Sequence, residues 1–308
     1  MGVIVNNIRH PGKKRFNRQS LNETLVAWVF LLPSLIGLFT FSILPTIRGI
    51  GLSFTNSDLL TRQDFIGLTN YQKLIGDPQF WQSLGITTEY VLLNIPFQTF
   101  LALGLAVMMV RLTKSILIRG MVLVPYVLPM IIATMVWMTM LDWNFGPVDY
   151  FLKLFGLPKL AFLNSDLAIP TLAFINTWRH VGYVTLLFFA GLQAIPKDIY
   201  EAAAMDGANE LQLFTSVTLP LLRPVMAYVL VTSSVGAFQV WDSVAVFAVP
   251  TGGPGDATRV IFWYITKLAF TQFSLGYAAT VAVGLFIICL ALAMIQMRLL
   301  RADYSDLG

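Results

Sequence analysis

Glu201-Ala-Ala-Ala-Met-Asp-Gly-Ala208, followed by Leu219-Pro220 and Pro224, is a small-residue stretch in a polar loop between two long apolar segments. Pro196 can open a helix there, because its missing N–H would be unpaired at that position anyway. Asp198 and Glu201 fall in the first turns, where the helix dipole favours carboxylates. Ala202, Ala203, Ala204, Gly207 and Ala208 leave the surface nearly bare, so a partner can approach closely. Glu201 offers that partner one charge-assisted contact. Pro220 and Pro224 are expected to stop the following helix and to set the angle at which the chain re-enters the apolar segment. Composition alone fits an ordinary helical loop. The order and spacing favour a docking element.

The rest of the chain is solvated mainly by lipid. Of its 308 residues 56% are hydrophobic and 12% charged, with a mean hydropathy of +0.72, against about 25% charged in soluble domains. The net charge of +4 does not mark a nucleic-acid binder, because the basic residues sit at the ends of apolar runs. Cys289 is the single cysteine, so no internal disulfide is possible.

Apolar runs recur at 25–44, 86–110, 120–141, 167–190, 224–249 and 276–297. Each is near the ~20 residues that cross ~30 Å of hydrocarbon. None alternates like a barrel strand, so helices are predicted. The first run follows Arg9, Lys13, Lys14, Arg15 and Arg18 without a small-residue cleavage site, and is read as a retained helix rather than a signal peptide. Lys and Arg fall twelve to one side and seven to the other, with Arg179 inside a run. That bias places both termini and the Glu201 loop in the cytoplasm. The expected layout is a cytoplasmic segment 1–23, a six-helix membrane domain 24–298 with the polar loop at 191–223, and a cytoplasmic tail 299–308. On the outer side, Phe65-Ile-Gly-Leu-Thr-Asn-Tyr71 and Asp77-Pro-Gln-Phe-Trp81 supply aromatics suited to an interfacial cap. Thr251-Gly-Gly-Pro-Gly255 reads as a tight turn.

Glu201-Ala-Ala, Asp206-Gly207-Ala208, Phe214, Leu219-Pro220 and Pro224 resemble the signature loop of the membrane subunits of bacterial ABC importers, in the carbohydrate-uptake branch that includes the maltose and glycerol-phosphate permeases. Phe65–Tyr71, Val124-Pro-Tyr-Val-Leu-Pro129, Asn176-Thr-Trp178 and Thr251–Asp256 extend the resemblance over nearly the whole chain. It implies an all-α, type I importer permease with six transmembrane helices and a short coupling helix between the fourth and fifth. It also implies a multi-pass subunit of the bacterial inner membrane, paired with a second homologous permease, an ATPase dimer and an extracytoplasmic binding protein. Glu201, Ala202, Ala203, Asp206, Gly207, Ala208, Phe214, Leu219 and Pro220 would couple to the ATPase. No G-x-x-x-x-G-K-[ST] loop is present, and Gly12-Lys13-Lys14 lacks the upstream glycine and the Ser/Thr. ATP and Mg2+ are therefore expected on the separate ATPase, with no cofactor, metal or catalytic residue on this chain.

Polar groups at membrane depth are costly and mark interior or functional positions. Here they are Asn94 with Gln98, Asn176 with Arg179 and His180, Gln239 with Asp242, and Glu89 near a predicted helix end. Pro125 and Pro129 free backbone carbonyls beside Tyr126 that a solute could use. By resemblance to the sugar-contacting maltose permease subunit, the solute site comprises Tyr126, Met130, Asn176, His180, Tyr183, Phe238, Gln239 and Asp242. Met130, His180 and Asp242 depart from the residues of that relative, so substrate identity does not carry over. Sugars, polyol glycosides and glycerol phosphates stay open, with neutral sugars preferred because Arg179 is the one cation near the site. Arg179 and Asp242 read equally well as a structural ion pair, and His180 as an interior histidine. The rival class is an ion-coupled secondary transporter, which would use deep carboxylates and inverted repeats. An exporter with a fused ATPase does not fit in 308 residues. A zinc enzyme is disfavoured because H-E-x-x-H is absent.

Overall fold

Lipid cannot satisfy backbone N–H and C=O groups, and the chain responds by being helical almost throughout. The computed structural model describes residues 18–58, 64–112, 115–248 and 252–300, with the side chains of 18–24 and 248 excepted. Residues 1–17 and 301–308, which hold most of the predicted cytoplasmic segments, lie outside it. Among the described residues there is no strand, only an isolated bridge between Thr55 and Phe65.

The first unit, up to Gly51, is a helical run: α1 (Arg18–Leu38), a π-helical turn at Phe39–Ile43, and α2, which continues to Leu52. None of its described side chains is buried.

The second unit holds α3 (Thr69–Ile75), α4 (Pro78–Leu112), α5 (Ile116–Val127), α6 (Met130–Met140), α7 (Pro147–Leu154) and α8 (Ala168–Ala194). It continues with α9 (Lys197–Met205), α10 (Glu210–Gln212), a π-helical turn (Leu213–Thr218), α11 (Leu219–Leu221) and α12 (Arg223–Phe238). The last elements are α13 (Asp242–Ala248), α14 (Ile261–Thr266) with a π-helical turn to Thr271, and α15 (Leu275–Leu300). Among the described residues, four stretches are long and apolar enough to cross a membrane: Leu25–Leu52, Pro78–Leu112, Arg223–Phe247 and Leu275–Leu300. The α5–α6 pair, bent by 90°, makes a fifth if taken as one.

That bend is written in Leu128-Pro129. A residue before proline is driven to extended backbone, and Leu128 adopts φ −67°, ψ 133°. The run 120–141 is thus a broken helix. Three other prolines act differently from expectation. Pro196 is the N-cap of α9 rather than its first residue, Pro224 opens α12 rather than ending a helix, and Pro220 sits inside a helical run in which α11 continues the π-helical turn without a break. Proline suits a first turn because no N–H is needed there. Glu89 lies well inside α4, which begins eight residues before the predicted run.

α4 packs along α8 and is joined by α12, while α15 lies against α12. Two apolar cores result. One gathers Phe80, Tyr90, Leu172, Val244, Trp263 and Tyr277 at the loop end that carries α3 and α14. The other gathers Ala102, Ala106, Phe188, Leu192, Leu222 and Val229 at the α9 end.

The loop motifs expected on the outer side act through hydrogen bonds as much as through aromatics. Asn70 Nδ2 donates to the Ser53 and Thr55 carbonyls at 3.0 and 2.8 Å, and the Tyr71 and Ser53 hydroxyls bond at 2.6 Å. Thr280 Oγ1 donates to the same Ser53 carbonyl at 3.0 Å, fastening α15. Gly252 and Gly253 take positive φ in the Gly-rich turn, and the Thr258 hydroxyl closes it on the Gly252 carbonyl at 2.9 Å; Thr251 lies outside the described residues.

Asp77 precedes Pro78 and accepts the Gln79 amide at 2.9 Å, the geometry of a helix N-cap. It also accepts the Tyr264 and Tyr277 hydroxyls at 2.5 and 2.6 Å. Desolvation pushes its pKa up, but bonds from Tyr264, Tyr277 and the Gln79 and Phe80 amides outweigh it, so the carboxyl titrates below its ordinary value. A depressed folded pKa contributes stability above the unfolded value of about 3.9, and that contribution disappears as pH falls through the folded value. Asp77→Asn is therefore expected to flatten the loss of melting temperature seen on acidification below about pH 4. Parallel melting curves for both proteins across that range would refute the clamp.

Candidate functional site

At 1.5 Å per residue the 35 residues of α4 span about 52 Å, and Asn94 and Gln98 fall near the middle. The two apolar cores leave a gap at that depth. A cavity of about 350 Å3 fills it, walled by the middle of α4, α6, α8 and the turn from α12 to α13.

Six of the eight predicted solute residues border this cavity: Met130, Asn176, His180, Tyr183, Gln239 and Asp242. Tyr126 and Phe238 are not on its wall. Tyr126 stands behind, stacked on Tyr183 with centroids 4.8 Å apart at 11° and edge-on to His180 at 5.6 Å. Phe238 is buried in the core at the α3 and α14 end. The wall also includes Asn94, Gln98, Tyr228, Thr232, Trp241 and Ser243, none of them among the residues predicted for the site. Tyr228, Thr232 and Gly236 recur every four residues along one face of α12, a polar or small stripe readable in the sequence.

Asn94 is bound to the neighbouring helix. Its amide nitrogen donates to the Ala173 carbonyl at 3.1 Å and the Thr177 hydroxyl at 2.9 Å, joining α4 to α8.

Arg179 makes no ion pair with Asp242. Its Nε donates to the Leu128 carbonyl at 2.7 Å, Nη1 donates to His180 Nε2 at 2.9 Å, and the guanidinium lies over the Tyr126 ring at 5.1 Å. The carbonyl at the Leu128-Pro129 break, of the kind expected to be open to solute, is thus taken by Arg179, a cation at the C-terminal end of α5 where the dipole favours it. The same bonds settle the histidine tautomer. Arginine only donates, so Nε2 accepts; the Asn176 carbonyl 3.1 Å from Nδ1 only accepts, so Nδ1 carries the proton. His180 is a neutral interior histidine. Asp242 is left exposed to the cavity, with no ion-pair partner among the described residues.

The polar loop is organised around α9. The Gly207 amide donates to the Ala204 carbonyl and the Ala208 amide to the Ala203 carbonyl, both at 3.1 Å. Gly207 sits at φ +83°, completing a Schellman C-cap that wants glycine. Asn209 and Gln212 then form a reciprocal capping box at 2.9 Å each way, which starts α10. Glu201, Ala202, Asp206 and Gly207 are exposed, and Ala203 and Ala208 half-buried. Met205 is 84% exposed, unusual for so apolar a side chain. Phe214 packs with Leu221 against the core at the α9 end, so it anchors the loop to the bundle. Leu219 and Pro220 are half-buried beside it. The Arg111–Glu210 ion pair at 2.5 Å ties α10 to the end of α4, an exposed pair of small energetic value. Among the described residues no cluster of three or more His, Cys, Asp or Glu could hold a metal.

The chain is similar to the trehalose/maltose transport system permease protein of Thermococcus litoralis, 30% identical over 91% of this chain and 95% of the relative. The lactose transport system permease protein of Rhizobium radiobacter is 32% identical over 87% of this chain and 92% of its own length. In fold it resembles a chain of the bacterial alginate ABC transporter solved with an alginate pentasaccharide-bound periplasmic protein, at 22% identity and a TM-score of 0.79 over 94% and 98% of the two chains. Residues 98–304, which contain both the cavity's α8–α13 wall and the α9 loop, match the binding-protein-dependent transport system inner membrane component family, and the chain belongs to that family.

Proposed function

We propose that this chain is one of two homologous permease subunits that carry a neutral sugar or glycoside inward, powered by a separate ATPase dimer that holds ATP and Mg2+. Six crossings follow from taking α1–α2, α4, the bent α5–α6 pair, α8, α12–α13 and α15 as one each. In this arrangement α8 crosses despite Arg179 and His180, because those groups bond to one another and to backbone rather than face lipid. Both termini and α9 would lie in the cytoplasm, by the Lys and Arg bias. The exposed Glu201–Gly207 edge would seat in the ATPase, and an extracytoplasmic binding protein would deliver solute.

One observation carries this reading: a mid-depth cavity whose wall alternates aromatic faces with amides and hydroxyls, held between two dry cores. Aromatic faces take the C–H surfaces of a sugar ring, and amides and hydroxyls take its many hydroxyls. Arg179 is engaged by the protein and Asp242 is the cavity's one carboxylate among the described residues, which favours a neutral solute over an anionic one. A lone carboxylate is also meagre equipment for ion coupling.

The test is uptake of radiolabelled maltose, trehalose and lactose by the co-expressed complex. Uptake of at least one is expected to require ATP and to survive collapse of the ion gradients. Asn176→Ala and Gln239→Ala are expected to raise KM by about tenfold, the worth of one good hydrogen bond, with assembly intact. Uptake that follows an ion gradient instead would overturn the proposal.

A further inference from the structure

Two residues on the cavity wall carry hydrogen-bonding groups that have no partner among the described residues. Gln98 lies one turn beyond Asn94 on the same face of α4. Whereas Asn94 makes two bonds to α8, the Gln98 side chain is 3% exposed and its Oε1 has no partner. Ser243, the second residue of α13, is fully buried, and its Oγ has no partner either. Both border the same 350 Å3 cavity.

Buried polar groups in folded proteins are nearly always bonded. At membrane depth bulk water is not there to repair the deficit. A chain that keeps two such groups beside one cavity forgoes stability that Leu and Ala at those positions would recover, a pattern expected where function requires the groups. The unsatisfied atom of Gln98 is an acceptor, which a sugar hydroxyl satisfies and a carboxylate or phosphate oxygen does not. The Ser243 hydroxyl rotates to donate or accept as its partner requires.

Building on the reading of the cavity as the solute path, we infer that Gln98 and Ser243 are specificity-determining residues whose missing hydrogen bonds are supplied by hydroxyls of the transported solute. Gln98 lies on α4 and Ser243 on α13, so with the predicted Asn176 contact on α8 the solute is bonded from three helices.

Gln98→Leu and Ser243→Ala separate this role from a structural one. In the full complex, assayed with whichever of maltose, trehalose and lactose the wild type transports, each is expected to raise KM roughly fivefold, the equivalent of one net hydrogen bond. The purified complex should melt at the wild-type temperature or slightly above it, because an unpaired buried group has been removed. Asn94→Leu, which breaks two formed bonds, should lower that temperature. Unchanged KM in either variant would overturn the inference for that residue. A lowered melting temperature or loss of the partner permease would also overturn it, by showing that the group bonds to protein. A wild-type complex that moves none of the three sugars fails the carbohydrate reading, and this inference with it; a complex that moves one while the variants match it fails the inference alone.

Discussion

Gly182→Val is expected to leave little folded protein in the membrane. Gly182 is where α8 meets α5: a Cβ built there would overlap the Val122 carbonyl oxygen and press on the Val122 side chain. The obstructing atom is backbone, so no rotamer change relieves it. Overpacking ordinarily costs about 1–3 kcal/mol, and a backbone obstruction falls at or above the top of that range. Since α5 leads into the broken helix whose end Arg179 caps, displacing it would also disturb the Tyr126–Tyr183 stack behind the cavity. The measurement is detergent-extracted yield and melting temperature beside wild type, with Gly182→Ala as the milder step. A valine variant as stable as wild type would mean that α5 and α8 do not pack in this way.

Glu201→Ala and Gly207→Asp are expected to fail in the opposite manner, with the chain folded and inserted but transport reduced at least tenfold while ATP hydrolysis continues. Glu201 is exposed and makes no ion pair among the described residues, so its carboxylate is available to a basic residue of the ATPase. A hydrogen bond to a charged group is worth about 1.5–3 kcal/mol, or a tenfold to hundredfold change in affinity. For Gly207, a Cβ would meet nothing within the chain. What the chain itself requires is the positive φ of +83°, which aspartate tolerates better than most residues. Packing among the described residues therefore does not require the bareness of this corner. Uptake and ATPase activity measured on the same preparation test the claim. Wild-type uptake by both variants, or parallel loss of both activities with the melting temperature, would defeat it.

Much of the fold was legible because lipid imposes a simple rule of length and apolarity. Four of the six predicted runs fall on unbroken helical stretches, within several residues, whereas 120–141 is broken at Leu128-Pro129 and 224–249 between Phe238 and Asp242. The local structure of the polar loop was legible for a different reason: its bonds are local. The Schellman cap at Gly207 and the capping box between Asn209 and Gln212 span five residues or fewer, although the capping box itself went unread. Proline was harder. Pro129 signals a break in any sequence, but a 90° turn depends on where α6 then packs. Pro224 could have ended one helix or begun the next, and only the path of α11 and α12 resolves which.

The solute site divides along the same line. Asn176, His180 and Tyr183 share one helix face, so their convergence follows from the 3.6-residue period. Tyr126 and Phe238, placed in the site by resemblance, lie off the cavity wall, because a matched position fixes neither the face nor the depth that distant packing gives a side chain. The pairing of Arg179 was likewise beyond reach: a sequence reading offered Asp242, whereas the Leu128 carbonyl, 51 residues away, lay closer and was short of a donor. What the sequence determined by itself was the lipid-matched helices, their polar interruptions and the locally bonded loop, since each depends on residues within a few turns of one another. Tertiary structure alone decided which interruptions became protein-to-protein bonds and which were left facing a cavity, because a buried polar group takes whichever partner the packing of distant helices brings within about 3 Å.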